Sequence, residues 1–253
     1  MRIVDKIVQQ GNFLFRWRSY LPILILVPGF LALRERAAIE QAAGADIGNV
    51  WVWCGFLVSL AGLAVRWLTV GAVPSGTSGR NTGSQKASQL NVLGLYSVTR
   101  NPLYLGNGLA ILGVLIAINV WWFVAIGCLA YWLYIERIIA AEEDFLVQEF
   151  GEEYAAWAQQ TPIFWPRFGL WRKPELSFSL RTVLKREYNG LMAVCTVFLM
   201  IEWLVGVVFR GMPLTTWIRH DWPWVALFAA ATALFVTLRT LKKNTRMLHV
   251  RGR

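Results

Sequence analysis

Long apolar segments set the first limit on what this chain can fold into. Six can be drawn: Tyr20–Leu33, Val50–Val73, Pro102–Ile118, Val120–Ala141, Gly190–Phe209 and Trp222–Leu238. A helix of about 20 apolar residues crosses the hydrocarbon core of a bilayer. The expectation is therefore an all-α, polytopic transmembrane bundle of about six spans. The first segment is short and contains Pro22 and Pro28, so a tilt or break is expected there. Composition agrees: 16% of residues are charged, against roughly 25% in soluble domains. Fourteen tryptophans suit a chain with many membrane–water boundaries, where indole rings concentrate.

Lysine and arginine then assign sides. Arg2, Lys6, Arg16 and Arg18 precede the first segment, and the loop from Glu35 to Asp46 carries more acid than base. Arg80, Lys86 and Arg100 precede the third segment. Arg167, Arg172, Lys173, Arg181, Lys185 and Arg186 follow the fourth, and Arg239, Lys242, Lys243, Arg246, Arg251 and Arg253 end the chain. All fall on one side if both termini are cytoplasmic, which is the orientation the positive-inside rule selects. The net charge of +10 is thus a matter of topology and anionic lipid rather than nucleic acid. Met1–Gln10 carries Asp5 and Lys6 and has no small-residue cleavage site, so a cleavable signal peptide is not expected. Cys54, Cys128 and Cys195 lie singly in apolar runs, and His220 and His249 are isolated; neither a disulfide nor a metal site is expected. No internal repeat is visible.

The chemistry gathers between Gly94 and Tyr154. Segments three and four form a hairpin turning near Asn119, which returns Leu95–Tyr104 and Glu136–Tyr154 to the same cytoplasmic side. Pro102 suits a first helical turn, and Arg100 adds positive charge at the positive end of that helix. The pair suits a carboxylate or phosphate, although a topology-setting arginine beside a helix-start proline accounts for it too. Gly106, Gly108 and Gly113 permit close approach of a flat ligand or of another helix. Glu142 and Glu143 have apolar helical neighbours, including Ile138, Ile139, Leu146 and Val147, so their carboxylates need cationic or hydrogen-bonding partners. Arg100 and Arg137 are the nearest by topology; a structural ion pair is the plainer alternative. Gly151 is expected to cap this helix, with Glu152, Glu153 and Tyr154 opening another. Thr161–Pro166 can fold back over the site, and Gly76–Ser88 reads as a loop.

Taken together, Gly94-Leu95-Tyr96, Arg100-Asn101-Pro102-Leu103-Tyr104-Leu105-Gly106, Arg137 with Glu142-Glu143, and Phe150-Gly151-Glu152-Glu153-Tyr154 resemble the isoprenylcysteine carboxyl methyltransferases and the wider membrane methyltransferases that include phospholipid methyltransferases. The resemblance implies S-adenosylmethionine as cofactor, held by Tyr96, Arg100, Asn101, Pro102, Leu103, Tyr104, Gly106, Glu142, Glu143 and Tyr154. It implies a catalytic set of Arg137, Arg100 and Glu142, with Arg137 beside an acceptor that arrives from the lipid phase. Asn101 stands where the family usually has histidine, and asparagine hydrogen-bonds without titrating. The family pattern also ends near a chain terminus, whereas here some eighty residues follow, with Glu202 inside one of their spans. The organisation expected is residues 1–93 as N-terminal spans and loop, 94–173 as methyltransferase core, and 174–253 as a C-terminal extension.

The leading reading is a methyltransferase in the bacterial inner membrane, its site facing the cytoplasm, that methylates an anionic oxygen of a membrane lipid or lipidated substrate. Both reactants lose charge as the bond forms, so a dry site favours the reaction. A phospholipid N-methyltransferase, a membrane reductase of the sterol-reductase type and a non-catalytic membrane protein are the alternatives.

Overall fold

A computed structural model describes residues 2–18, 20, 24–44, 46–74, 89–250 and 252. Pro22, the Gly76–Ser88 loop with Arg80 and Lys86, and Arg251 and Arg253 lie outside the described residues. Regular structure among the described residues is helical: α1 (Ile3–Trp17), α2 (Leu26–Ala43), α3 (Asp46–Val70), α4 (Pro102–Ile118), α5 (Trp121–Gln160), α6 (Leu180–Trp203), α7 (Leu214–His220) and α8 (Trp222–Asn244). One isolated antiparallel bridge joins Gly94 to Arg172. Among the described residues, four helical stretches are long and apolar enough to cross a membrane: Gly48–Val70, Trp121–Gln160, Leu180–Phe209 and Trp222–Asn244. Pro102–Ile118 is a shorter apolar helix beside them.

Two differences from the sequence reading have physical causes. The expected loop from Glu35 to Asp46 is helical as far as Ala43. Its charges are paired inside the protein. Arg36 Nε donates to Glu40 Oε1 at 2.7 Å, and Arg36 Nη1 donates to Glu202 Oε1 at 2.9 Å and to the Ala117 carbonyl at 3.0 Å. Hydropathy counts such charges as solvated, although Arg36, Glu40 and Glu202 are all buried. The second difference is α1, which the basic N-terminus concealed. This helix lies against α5, where Gly11 meets the Arg137 carbonyl so closely that a Cβ has no room.

The hairpin expected near Asn119 is present. Asn119 closes α4 in the left-handed conformation (φ 53°), with its N–H directed to the Leu115 and Ile116 carbonyls. Asparagine tolerates that conformation better than most residues. The seam between α3 and α4 is lined by small residues. Gly113 sits on the Gly55 carbonyl and Ser59, Gly106 packs on Gly62, and Ser59 Oγ donates to the Ala110 carbonyl at 2.8 Å. Close backbone approach of this kind drives helix association where lipid removes the hydrophobic incentive.

The C-terminal helices share this core. Phe198 of α6 meets Phe56 of α3 edge-on at 5.2 Å, and Trp224 of α8 stacks on Trp53 at 4.3 Å. Buried residues from α2, α3, α4, α6 and α8 form one apolar cluster. Beyond Trp203, α6 widens into a π-helical turn, Leu204–Phe209, where Trp217 Nε1 donates to the Glu202 carbonyl at 3.2 Å.

Candidate active site

The start of α4 is held by the chain that follows α5. The Arg100 N–H donates to the Pro162 carbonyl at 2.8 Å, and the Arg167 N–H to the Val98 carbonyl at 2.9 Å. Thr99 Oγ1 donates to the Phe164 carbonyl at 2.9 Å, and Asn101 Nδ2 to the Ile163 carbonyl at 2.9 Å. Thr161–Pro166 therefore folds back onto residues 98–101. Asn101 uses its side chain to tie that strap down rather than to cap its own helix. Gly151 makes the return possible: at φ 52°, ψ −122° it breaks α5 internally. Such a conformation suits a residue without a Cβ. The next helical turns then bring Tyr154 back to Arg100.

Arg100 Nη1 lies 2.9 Å from Glu143 Oε1 and donates to the Tyr154 hydroxyl at 3.3 Å. The contact with Glu143 is an ion pair in which no N–H is aligned on the carboxylate oxygen, and Arg100 Nε is buried without an acceptor. One turn further into the bundle, Tyr104 Oη donates to Glu142 Oε1 at 2.6 Å. The Tyr131 hydroxyl donates to the Tyr104 carbonyl at 2.6 Å, which fixes the α4 turn carrying that phenol. Tyr96, in the short turn before α4, accepts from Trp157 Nε1 through its carbonyl at 3.2 Å. Loss of hydration, reinforced by the nearby Glu142 carboxylate, raises the Tyr96 phenol above its ordinary range.

The sequence-derived set thus divides. Arg100, Glu143 and Tyr154 meet directly, as do Tyr104 and Glu142. Tyr96 stands beside Glu142, and Asn101 and Pro102 open the helix that carries them. Leu103 lies in the same first turn. The side of Gly106 that lacks a Cβ is filled by α3: a Cβ there would stand 2.7 Å from both Arg66 Cγ and the Gly62 carbonyl. Gly108 likewise makes room for the Tyr131 ring.

Arg137 points elsewhere. Its Nε donates to Gln10 Oε1 at 3.0 Å and its Nη1 to the Leu133 carbonyl at 2.7 Å. It borders a shallow groove of about 340 Å³ between α1 and α5, lined also by Gln9, Phe13 and Leu14.

Two cations near the site escaped sequence reasoning. Arg18, at the end of α1 and over the Phe15 ring at 4.2 Å, lies within electrostatic reach of Glu142. Arg66 of α3 pairs with Glu187 of α6. Arg66 carried a signal, since an ionisable residue inside an apolar segment is a functional candidate by default; Arg18 looked like one more topology-setting arginine.

Residues 50–153 match the profile of the phospholipid methyltransferase family. The chain is 36% identical over 126 residues to the cobalt-zinc-cadmium resistance protein CzcN of Cupriavidus metallidurans, covering 49% of this chain and 55% of that protein. It is 33% identical over 126 residues to the nickel-cobalt-cadmium resistance protein NccN of Alcaligenes xylosoxydans xylosoxydans, covering 49% and 56%. The chain spans about half the length of these curated relatives. No solved structure matches it. The segment that carries α3, α4 and most of α5, and with them the Arg100–Glu143 and Tyr104–Glu142 pairs, is the part of the chain that matches the phospholipid methyltransferase family, in support of the resemblance read from the sequence.

Proposed function

We propose that the protein is an S-adenosylmethionine-dependent methyltransferase whose site faces the cytoplasm and whose acceptor is an anionic oxygen of a membrane lipid. The observation that carries this reading is the buried Arg100 Nε without an acceptor, beside a glutamate whose ion pair is not aligned for hydrogen bonding. A buried donor left unpaired costs about 1–3 kcal/mol, so the site suits a ligand that brings a carboxylate to Arg100. The α-carboxylate of an amino-acid cofactor is of that kind. Glu143 and Glu142 stand ready for its cationic parts, the ammonium and the sulfonium. Arg100, Glu142, Glu143, Tyr104 and Tyr154 would hold the cofactor.

When bound, the cofactor would supply an electrophilic methyl group for the acceptor oxygen, with its sulfur as leaving group. The protein's share is orientation and exclusion of water. The 161–166 strap covers the start of α4, and the apolar faces of α4 and α5 keep the site dry. An anionic oxygen needs no base. Arg137, with one edge already fixed by Gln10 and Leu133, would present its remaining N–H groups to the acceptor head group.

The names of the two relatives refer to resistance to divalent metals. For this chain a physical link exists: methylating a phosphate oxygen removes one negative charge, and with it a ligand for such cations. An amine acceptor is the second reading, favoured by the buried Glu142 carboxylate, which would take the proton an ammonium must lose.

Purified protein in lipid nanodiscs, titrated with S-adenosylmethionine and then given labelled cofactor with membrane extract, tests both. Binding with acid- or base-labile label in lipid supports the phosphate reading, and stable label the amine. Absence of binding removes the cofactor assignment altogether.

A further inference from the structure

A second charged constellation lies against the back of the α4 cradle and draws on a helix beyond the family match. Arg66 of α3 lies fork to fork on Glu187 of α6: Nε donates to Oε2 and Nη2 to Oε1, each at 2.9 Å. Its remaining edge is used too, Nη1 donating to Asn107 Oδ1 of α4 at 2.7 Å. Glu187 is 3% exposed. Bidentate pairing of this kind fixes direction as well as charge. The stem of Arg66 rests on Gly106, where even a methyl group would collide with its Cγ.

The position of this pair gives it a role beyond holding helices together. Gly106 and Asn107 lie two and three residues after Tyr104, whose hydroxyl bonds to Glu142. Tyr96 lies within electrostatic reach of Glu142, Arg66 and Arg186. Arg66 is thus the back wall of the turn that presents Tyr104. Glu187, from a helix outside residues 50–153, fixes where that wall stands. A bilayer-facing helix that served only as an anchor needs apolar packing, which α6 has in Phe198 and Val194; a buried carboxylate adds desolvation cost and contributes direction.

We propose that Glu187 is a positioning residue of the methyltransferase site: through Arg66 and Asn107 it holds the α4 turn that carries Tyr104, so the C-terminal helices complete the cofactor cradle. This rests on the cofactor reading above.

The test is cofactor affinity, measured by calorimetry with S-adenosylmethionine on full-length protein in nanodiscs, with the unfolding midpoint recorded for each variant. Asn107→Ala leaves the ion pair whole, so it creates no orphaned charge. It is expected to weaken binding by about tenfold, since small misplacements of a bound group carry large costs, with the midpoint nearly unmoved. Glu187→Gln is expected to weaken binding further, and Glu187→Asp to recover part of the loss. Wild-type affinity in a folded Asn107→Ala and in a folded Glu187→Gln overturns the proposal while leaving the cofactor reading intact. A fall in the midpoint with affinity per folded molecule unchanged overturns it as well, because the pair is then structural. A wild-type protein that binds no S-adenosylmethionine overturns the cofactor reading and this proposal with it.

Discussion

Arg100 and Glu143 meet at 2.9 Å where the start of α4 crosses α5, with Arg100 Nε left facing no acceptor. The pair joins two helices through residues 43 positions apart, and the same guanidinium reaches the Tyr154 hydroxyl after α5 has been broken at Gly151. On the function proposed above, the unpaired edge of this guanidinium is where a ligand carboxylate would bind.

Arg100→Ala should therefore weaken S-adenosylmethionine binding by about 10- to 100-fold, the equivalent of one charge-assisted hydrogen bond of roughly 1.5–3 kcal/mol. Calorimetry on the nanodisc-embedded protein reads this directly, and an unchanged circular dichroism spectrum shows that the helices persist.

Glu142→Gln keeps an acceptor for the Tyr104 hydroxyl but removes the negative charge, so folding should survive while cofactor affinity drops. Glu143→Gln should act in the same direction through Arg100. Titration of both variants decides the matter; wild-type affinity in each is the result that sinks the cofactor assignment.

Arg137→Lys keeps the charge and loses the planar fork that engages Gln10 and the Leu133 carbonyl at once. Turnover measured as labelled methyl transferred to lipid should fall more than cofactor affinity does. Equal losses in the two measurements would remove Arg137 from the acceptor side.

Glu202→Ala concerns stability alone. It leaves Arg36, 2% exposed, with Glu40 as its remaining carboxylate. Breaking a buried pair on one side typically costs about 3–5 kcal/mol, so the unfolding midpoint in detergent should drop sharply. Substituting an exposed residue of the same helix, as in Met200→Ala, should have little effect by comparison.

The helical membrane class was readable from apolar run lengths, because a bilayer imposes a length on any helix that crosses it. The same pattern misplaced the boundary after Leu33, since a buried Arg36–Glu40–Glu202 network looks like solvated loop until its partners, up to 166 residues away, are known. The site was half legible. Arg100, Glu142, Glu143 and Tyr154 stood out as ionisable or phenolic groups beside apolar sequence, and the hairpin at Asn119 brought their segments together. Their pairing was not legible: Arg100 had two glutamates within reach, and the choice of Glu143, with Glu142 left to Tyr104, depends on helix rotation that sequence spacing does not specify.

Sequence alone determined the helical class, the Asn119 hairpin and the motif cluster, because each follows from local hydropathy, local backbone preference or residues close along the chain. Tertiary structure decided that α1 lies on α5, that Arg137 faces Gln10, and that Glu187 reaches Arg66 from a helix outside the family match. Those outcomes rest on which faces of separate helices meet. In a bundle sealed by small-residue seams, that is set by close packing across the whole fold and by no single segment.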